Sequence, residues 1–123
     1  MSVYITIMQP STPSLCTVGV HLRADLARAA LSQEFISEAP LVIAICASFG
    51  RTTRGYGRRG ERYVYIEVGH AGQNIYLQVV ALGLATVAIG AFRDEAVREA
   101  LKLDAECHPL YLKPVWANRL KDS

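Results

Sequence analysis

Five arginines lie within one short glycine-rich stretch, GRTTRGYGRRGERY, which runs from Gly50 to Tyr63. It contains four glycines and no acidic residue before Glu61. The planar guanidinium group donates two parallel hydrogen bonds and therefore suits phosphate. Nucleic-acid binding, however, usually spreads such residues over a face with aromatic stacking partners, and only Tyr56 interrupts this run. We therefore favour a solvated or interface loop that leads into a helix, with anion or nucleic-acid contact as the alternative.

A second candidate for chemistry is the pair Glu67 and His70, three residues apart on one face of a predicted helix. Such an ExxH pair can ligate iron when further helices contribute carboxylates. Only one copy is present and no other predicted helix offers a matching acidic face, so we expect no metal site. The alternative is that His70 and Asn74, one turn apart, satisfy each other or a backbone group inside a buried helix.

The cysteines do not predict a reactive centre. Cys16, Cys46 and Cys107 are scattered and form no CxxC pair, which fits neither a disulfide framework nor a zinc site and favours a reducing compartment. Cys46 falls within a predicted strand and is expected to be inert, and the adjacent Cys107 and His108 are not expected to face each other. No GxSxG motif occurs, so a hydrolase is not indicated. Gly55, Gly57 and Gly60 have GxGxxG spacing, but they do not stand at a predicted strand-to-helix turn, so a dinucleotide fold is not indicated either.

The composition indicates one domain with a partner. The chain has 123 residues and a formal net charge of +2, so the basic run is a local feature. Hydrophobic residues make up 51% and the mean hydropathy is +0.20, which is high for a small domain and predicts that a partner covers some apolar surface. No signal peptide is visible and no apolar stretch reaches the roughly 20 residues of a membrane helix, so we expect a cytoplasmic protein without membrane contact.

Apolar periodicity predicts alternating strands and helices in an α+β fold with an α/β-like order. Strands are predicted at Val3–Ile7, Leu41–Phe49, Thr86–Ile89 and Pro109–Trp116, and helices at 22–39 with a break near Ser32, at Tyr63–Leu82 and at 94–103. The helix Tyr63–Leu82 is apolar nearly all round and is therefore expected to be central and buried. Gly83 stands where a C-terminal helix cap belongs.

Three long segments then resemble a known family: LSQEFISEAPLVIAICASF, RTTRGYGRRGERYVYIEVGHAGQNIYLQVVALGLATVAIGAF and LYLKPVW. Together they are similar to the C-terminal half of nitroreductase-like FMN flavoproteins. The similarity is greatest to the SagB-type dehydrogenases, in which a tyrosine-glycine-basic segment leads into E-x-G-H-x-x-Q-N and later into I-G-A-F. The resemblance implies one truncated nitroreductase-like domain over 1–123, with a strand and irregular lead-in at 1–20, a family-like core at 21–116 and a tail at 117–123.

The resemblance also implies a fold, a cofactor and a partner. The fold would be a half-domain with a small, mostly antiparallel sheet around a long, central, buried helix. A homodimer would form through the helix Tyr63–Leu82, with FMN at the subunit interface and hydride transfer between NAD(P)H and a small organic substrate. Ala88, Ile89, Gly90 and Ala91 would line one edge of the isoalloxazine, where small residues let the main chain approach a flat ring.

The family's arginine-serine-arginine phosphate clamp has no counterpart in this sequence. We hypothesise that Arg54, Arg58 and Arg59, from the same or a second subunit, replace it. Tyr56 and His70 are weak candidates for an acid or base, so the catalytic residues stay open. The alternative function is a truncated flavoprotein half that no longer binds FMN and acts as a dimeric interaction module. A second chain that supplies the missing half is a further expectation.

Overall fold

A computed structural model of the protein describes residues 3–8, 22–31 and 33–118. Four strands form one sheet in the order β1-β2-β4-β3, and every neighbouring pair is antiparallel. The elements are β1 (Val3–Met8), α1 (Leu22–Ala29), α2 (Phe35–Glu38), β2 (Leu41–Ser48), α3 (Gly50–Tyr56), a 3₁₀ turn (Gly57–Arg59), α4 (Gly60–Ala81), β3 (Leu84–Thr86), α5 (Asp94–Leu101) and β4 (Cys107–Ala117). The predicted α+β fold with a small antiparallel sheet is confirmed.

The sheet is covered by helices on both faces, which is why its central strands are almost continuously apolar. β2 lies between β1 and β4, and five of its eight residues are buried. On one face the core combines residues of α1, α2 and α5 with alternate residues of β2 and β4: Leu26, Ile36, Val97, Leu101, Val42, Ala44 and Leu112. On the other face Ile45 and Ala47 pack against Val64 and Val68 of α4.

The predicted central helix exists, but a single chain buries only one of its faces. Val64, Val68 and Val79 of α4 are buried against the sheet. Opposite them, Ile66, Leu77 and Val80 are 49%, 61% and 62% exposed. Within one chain, the helix expected to be central and buried is buried on one face only, because the sheet covers only one stripe of α4. The predicted cap is confirmed: Gly83 has a φ of 74°, and its N–H donates to the carbonyl of Val80.

The arginine stretch is helical, so its prediction as a loop is wrong. The carbonyl of Phe49, just after β2, accepts hydrogen bonds from the N–H groups of Thr52 at 3.1 Å and Thr53 at 2.9 Å. The chain therefore enters α3 directly from the strand and turns through the 3₁₀ segment into α4. Glycine-rich composition favours loops, but here the tight crossing of α3 and α4 determines the local structure. The predicted solvent exposure is confirmed, since every residue from Arg54 to Arg59 is exposed.

Other boundaries differ slightly from their predictions. The predicted break near Ser32 is consistent with separate helices α1 and α2, although Ser32 itself lies outside the described residues. The strand predicted at Thr86–Ile89 is found earlier, at Leu84–Thr86, with Ile89 forming one further bridge. Within the described ranges, no helix combines the length and the apolar character needed to span a bilayer.

Gly60 should be essential for the crossing of α3 and α4. A Cβ at this position would lie 3.0 Å from backbone atoms of Thr52 and Thr53, closer than side chains tolerate. We expect Gly60→Ala to lower the free energy of unfolding by about 1–3 kcal/mol, measured by urea denaturation. Gly55→Ala is the matched control, because nothing lies within 4 Å of its Cβ and alanine favours the helix. Equal stability of the two variants would contradict this account.

Candidate functional site

The segment that the resemblance singles out, Ala88–Ala91, extends the edge strand of the sheet. The register that pairs Thr86 with Val115 continues beyond β3, because Ile89 forms a bridge with Leu112. The Ile89 N–H donates to the Leu112 carbonyl at 2.8 Å, and the Leu112 N–H donates back at 3.0 Å. Since β3 is the last strand of the sheet, the other side of the Ala88–Ala91 segment has no neighbouring strand among the described elements.

Both ends of the segment are fixed by hydrogen bonds to helices. The Ala88 N–H donates to the hydroxyl of Tyr76, on α4, at 2.7 Å. Just beyond the other end, the Arg93 N–H donates to the carbonyl of Ala29, the last residue of α1, at 2.8 Å. These bonds hold the backbone of the segment between α4 and α1, so its conformation depends on the core and not on the loop alone.

Gly90 and Ala91 are left exposed at the middle of this fixed segment. Because Ile89 uses both of its backbone groups toward β4, the backbone groups of Gly90 point away from the sheet. Within the described part of the chain, neither the Gly90 nor the Ala91 N–H has a hydrogen-bond partner. The Ala91 carbonyl accepts a long hydrogen bond from Gln33 Nε2 at 3.4 Å. The segment therefore offers the Gly90 amide as a donor at an open edge, and the Ala91 amide, which also has no partner in the described chain, follows directly after it.

Two residues of β4, Tyr111 and Lys113, lie behind the segment. The register places Gly90 opposite Tyr111 and Ala88 opposite Lys113. A Cβ on Gly90 would lie 3.7 Å from the Tyr111 ring, and a Cβ on Gly72 of α4 would lie 3.7 Å from the same ring. The ring thus fills the space between α4 and the segment, where both neighbours are glycines.

Lys113 is wholly buried, with 0% of its surface exposed, although it is charged. Its Nζ donates to the Gly72 carbonyl at 3.1 Å and lies 3.1 Å from the centroid of the Tyr76 ring. Burial disfavours the ammonium form and lowers the pKa of Lys113 to about 8. The sequence predicts a strand that contains Lys113, but it does not predict that the lysine side chain is buried. The only clue was a single charged residue between apolar neighbours in LYLKPVW.

The arginines predicted to bind phosphate lie at the other end of α4. Arg58 and Arg59 line a surface depression of about 610 Å³ together with Arg62, whereas Arg54 does not line it. Arg59 directly precedes α4, and Gly72 of α4 lies beside the Tyr111 ring, which puts Arg59 and Gly72 about 20 Å apart along the helix at 1.5 Å per residue. One chain therefore does not bring the predicted ring-binding and phosphate-binding residues together.

Two tyrosines lie beside the arginine depression, and one of them contacts Arg59. Arg59 Nε donates to the Tyr63 hydroxyl at 3.1 Å. Tyr56, considered above as a weak acid or base, meets the edge of the Tyr63 ring with 5.2 Å between ring centroids. These contacts give Tyr56 a packing role at the α3–α4 turn, away from the Ala88–Ala91 segment.

The metal and thiol candidates are not assembled into sites. Glu67 and His70 are exposed, and in the described ranges no three His, Cys, Asp or Glu side chains gather as metal ligands. Burial, with a smaller contribution from Cys107, raises the pKa of Cys46 to about 12, which disfavours the reactive thiolate. His108 Nδ1 lies 2.8 Å from an Arg98 guanidinium nitrogen, so it faces α5 and not its neighbour Cys107.

A separate cavity of about 620 Å³ lies between α2, β3 and the end of β4. Its lining is mainly apolar and includes Phe35 and Trp116, whose rings meet edge to face with centroids 6.5 Å apart. Glu38 is its charged residue. No other ionisable group converges on it in the described chain, so it is a weaker candidate for chemistry than the edge segment.

Comparison with known proteins identifies the family. The model of the nitroreductase family matches residues 9–115, which is most of the chain and includes every residue of the candidate site. The chain belongs to the nitroreductase family. The match confirms the coarser part of the resemblance, and the SagB-type branch stays a prediction.

Individual relatives agree with this assignment. A curated candidate nitroreductase of Methanocaldococcus jannaschii is 55% identical over 74% of the chain, which spans only 45% of that relative. A crystal structure of a candidate nitroreductase from Anabaena variabilis is 30% identical with a TM-score of 0.72, over 80% of this chain and 20% of the other. The NADPH:FMN oxidoreductase of Vibrio harveyi, complexed with NAD+, is similar in fold, at 20% identity and a TM-score of 0.74 over 94% of this chain and 50% of the other.

The buried lysine makes stability depend on pH. The pKa of Lys113 is about 8 in the folded protein and 10.5 as its ordinary value, so between these values the unfolded chain binds more protons. Stability contributed by this group is therefore lost as pH falls through 8 and is complete above 10.5.

We expect Lys113→Met to remove this dependence. The free energy of unfolding of the variant, minus that of the parent, should fall by up to about 3 kcal/mol between pH 7 and pH 10.5, measured by urea denaturation. Lys102→Met, which removes an exposed lysine, serves as the control. A difference that stays constant across this pH range would show that Lys113 is not buried as a titrating ammonium.

Proposed function

We propose that the chain is a subunit of an FMN-dependent oxidoreductase of the nitroreductase type, which transfers hydride between NAD(P)H and a small organic substrate in the cytoplasm. The SagB-type dehydrogenases are the proposed branch. The observation that carries the proposal is the Ala88–Ala91 segment, a fixed backbone edge with free amides at Gly90 and Ala91. The family assignment and the fold neighbour named as an NADPH:FMN oxidoreductase support it.

The residues of the segment fit the edge of an isoalloxazine ring. Gly90 and Ala91 are small enough for a flat ring to approach their backbone, and their amides are free to donate to ring atoms. Lys113, opposite Ala88, adds a positive charge behind this edge. Arg93, two residues beyond the segment, is a further cation, and its Nη2 donates to the Arg28 carbonyl at 3.2 Å. The segment therefore fits the ring of FMN, and the phosphate is left to other groups.

Bound FMN would supply the hydride chemistry. The chain's own part would be to orient the ring through the amides of Gly90 and Ala91. The apolar surroundings of Ile89 and Tyr111 would keep water from the rear of the segment, since Ile89 is buried and Tyr111 packs against α4. Among the described residues, the contacts around the Ala88–Ala91 segment assign no side chain as a general acid or base, so proton transfer is not attributed to a side chain.

A second copy of the chain is the proposed partner. Ile66, Leu77 and Val80 form an exposed apolar stripe on α4, opposite the face that packs on the sheet. Because a two-fold axis brings the same patch of both subunits together, this stripe can bury itself against its own copy. The match covers only 45% of the Methanocaldococcus relative, so a second, different chain is the alternative partner that we consider. The mass of the complex formed by this chain alone distinguishes the two.

A dimeric module without FMN is the alternative function. The observation that favours it is the separation of about 20 Å between the arginine depression and the candidate ring site along α4. If neither Arg54, Arg58 nor Arg59 reaches the phosphate, the chain lacks several charge-assisted hydrogen bonds of about 1.5–3 kcal/mol each. Affinity for FMN would then be orders of magnitude weaker than in a complete site.

Titration with FMN tests the cofactor and the arginines together. We expect the purified protein to quench FMN fluorescence with a micromolar or lower Kd. The triple variant Arg54→Ala, Arg58→Ala, Arg59→Ala should bind at least tenfold more weakly, because charged hydrogen bonds to phosphate are lost. The variant Lys102→Gln removes exposed positive charge elsewhere and should bind normally. No binding at millimolar FMN would favour the interaction module, and unchanged affinity of the triple variant would remove the arginines from the site.

Charge on the exposed stripe tests the dimer. We expect the protein to have a dimer mass by size exclusion with light scattering, and Leu77→Glu to have a monomer mass, because it would bury an unpaired carboxylate at the centre of the apolar interface. Gln78→Glu adds the same charge at the next residue, off the stripe, and should remain dimeric. A Leu77→Glu protein that keeps the parent mass would exclude this face as the interface.

A further inference from the structure

Lys113 is the one feature near the candidate site that the fold does not require. Its strand neighbours Leu112, Pro114 and Val115 are buried, and the sheet face beneath α4 is otherwise lined by Ile45 and other apolar groups. A buried ion usually contributes no more stability than a well-packed apolar residue of the same size. Since stability does not explain a lysine at this position, we infer its role from the groups that it contacts.

The contacts of Lys113 lead to the Ala88–Ala91 segment through one side chain. The ammonium group lies over the face of the Tyr76 ring, 3.1 Å from its centroid, and donates to the Gly72 carbonyl one turn earlier on α4. The hydroxyl of the same tyrosine accepts the hydrogen bond of the Ala88 N–H at 2.7 Å. Lys113 also lies directly opposite Ala88 in the strand register. The segment thus contacts Tyr76 through a hydrogen bond and lies next to Lys113 in the sheet.

We propose that Tyr76 and Lys113 are a pair of positioning residues for the Ala88–Ala91 segment. Tyr76 holds the Ala88 amide, and Lys113 fixes the Tyr76 ring by a cation–π contact while placing a positive charge behind the segment. With Ala88 and Ile89 both fixed, the amides of Gly90 and Ala91 each keep a fixed orientation. Where the proposed function holds, on which this part rests, the buried charge favours the electron-rich reduced state of a flavin bound at the edge.

The cation–π contact also explains why the pair acts as a unit. An ammonium group over the ring restricts its rotation, which keeps the hydroxyl in line with the Ala88 amide. Removal of either partner should therefore loosen the same amide. Tyr76→Phe removes only the hydroxyl and keeps the ring that Lys113 contacts, whereas Lys113→Met removes only the ammonium group. The two variants therefore separate the hydrogen bond from the cation–π contact.

The first measurement uses the protein without any ligand. Hydrogen exchange of the Ala88 amide, followed by NMR, should be at least tenfold faster in Tyr76→Phe, which loses the acceptor, and several-fold faster in Lys113→Met, which loses the ammonium. Tyr65→Phe changes an exposed tyrosine on the same helix, and Lys102→Met removes an exposed lysine, so both controls should exchange at the parent rate. Parent-like exchange in both test variants would overturn the proposal.

The second measurement uses the protein saturated with FMN and reports on the charge. The ratio of affinities for reduced and oxidised FMN should fall at least threefold in Lys113→Met, a drop of about 15 mV in the midpoint potential at about 30 mV per tenfold for two electrons. Lys102→Met should leave the potential unchanged. A merely structural role of Lys113 would not lower this ratio, so an unaltered potential overturns the electrostatic part of the proposal.

The two measurements keep the failure of this inference apart from that of the proposed function. If the parent protein binds no FMN, the proposed function is overturned, while the exchange rates of Ala88 still decide whether Tyr76 and Lys113 position the segment. If FMN binds and the Ala88 amide exchanges at the parent rate in both variants, the function stands and the positioning pair is wrong.

Discussion

The antiparallel register between the edge of the sheet and β4 determines the geometry of the candidate site. It pairs Leu84 with Ala117, and its continuation pairs Ile89 with Leu112 three residues beyond the end of β3. Because side chains and backbone groups alternate along a strand, this register alone turns the Gly90 backbone outward and places Lys113 behind Ala88. A slip of one residue would reverse both orientations. The edge of the sheet, left without a neighbour among the described strands, thereby becomes a surface that a flat ligand can meet.

α4 joins this edge to the rest of the molecule and has two different faces. The face on the sheet supplies valines to the core and, through Gly72 and Tyr76, contacts the residues that lie behind the segment. The opposite face exposes large apolar side chains, including Leu77. A chain of this size is expected to lose stability by exposing such a stripe, unless a partner covers it. The same helix therefore links the candidate site to the proposed subunit interface. If the chain dimerises through this face, loss of the dimer is expected to affect the candidate site as well.

The sequence predicted most of the fold because its long apolar runs have unambiguous periods. The β-branched run at Leu41–Ser48 and the proline-free stripe of α4 are examples, and both are local patterns. The arginine stretch was mispredicted as a loop because its glycines favour loops locally, whereas the crossing of α3 over α4 at Gly60 is a tertiary contact. Lys113 was missed for a similar reason: alternation along a strand suggests a solvent-facing lysine, and only the position of α4 shows that it is buried. The distance between the arginines and the Ala88–Ala91 segment likewise depends on helix length and packing, not on local sequence.

The central claim is that the exposed amides of the Ala88–Ala91 segment meet a flavin ring, and hydrogen exchange of individual amides tests it most directly. The Gly90 and Ala91 amides would be followed by NMR in the free protein and at saturating FMN. We expect fast exchange of both in the free protein and strong protection of at least one on FMN binding, while amides of α5, such as that of Glu99, exchange at an unchanged rate. FMN binding that leaves both Gly90 and Ala91 unprotected would contradict the account, because the flavin would then be bound elsewhere on the chain.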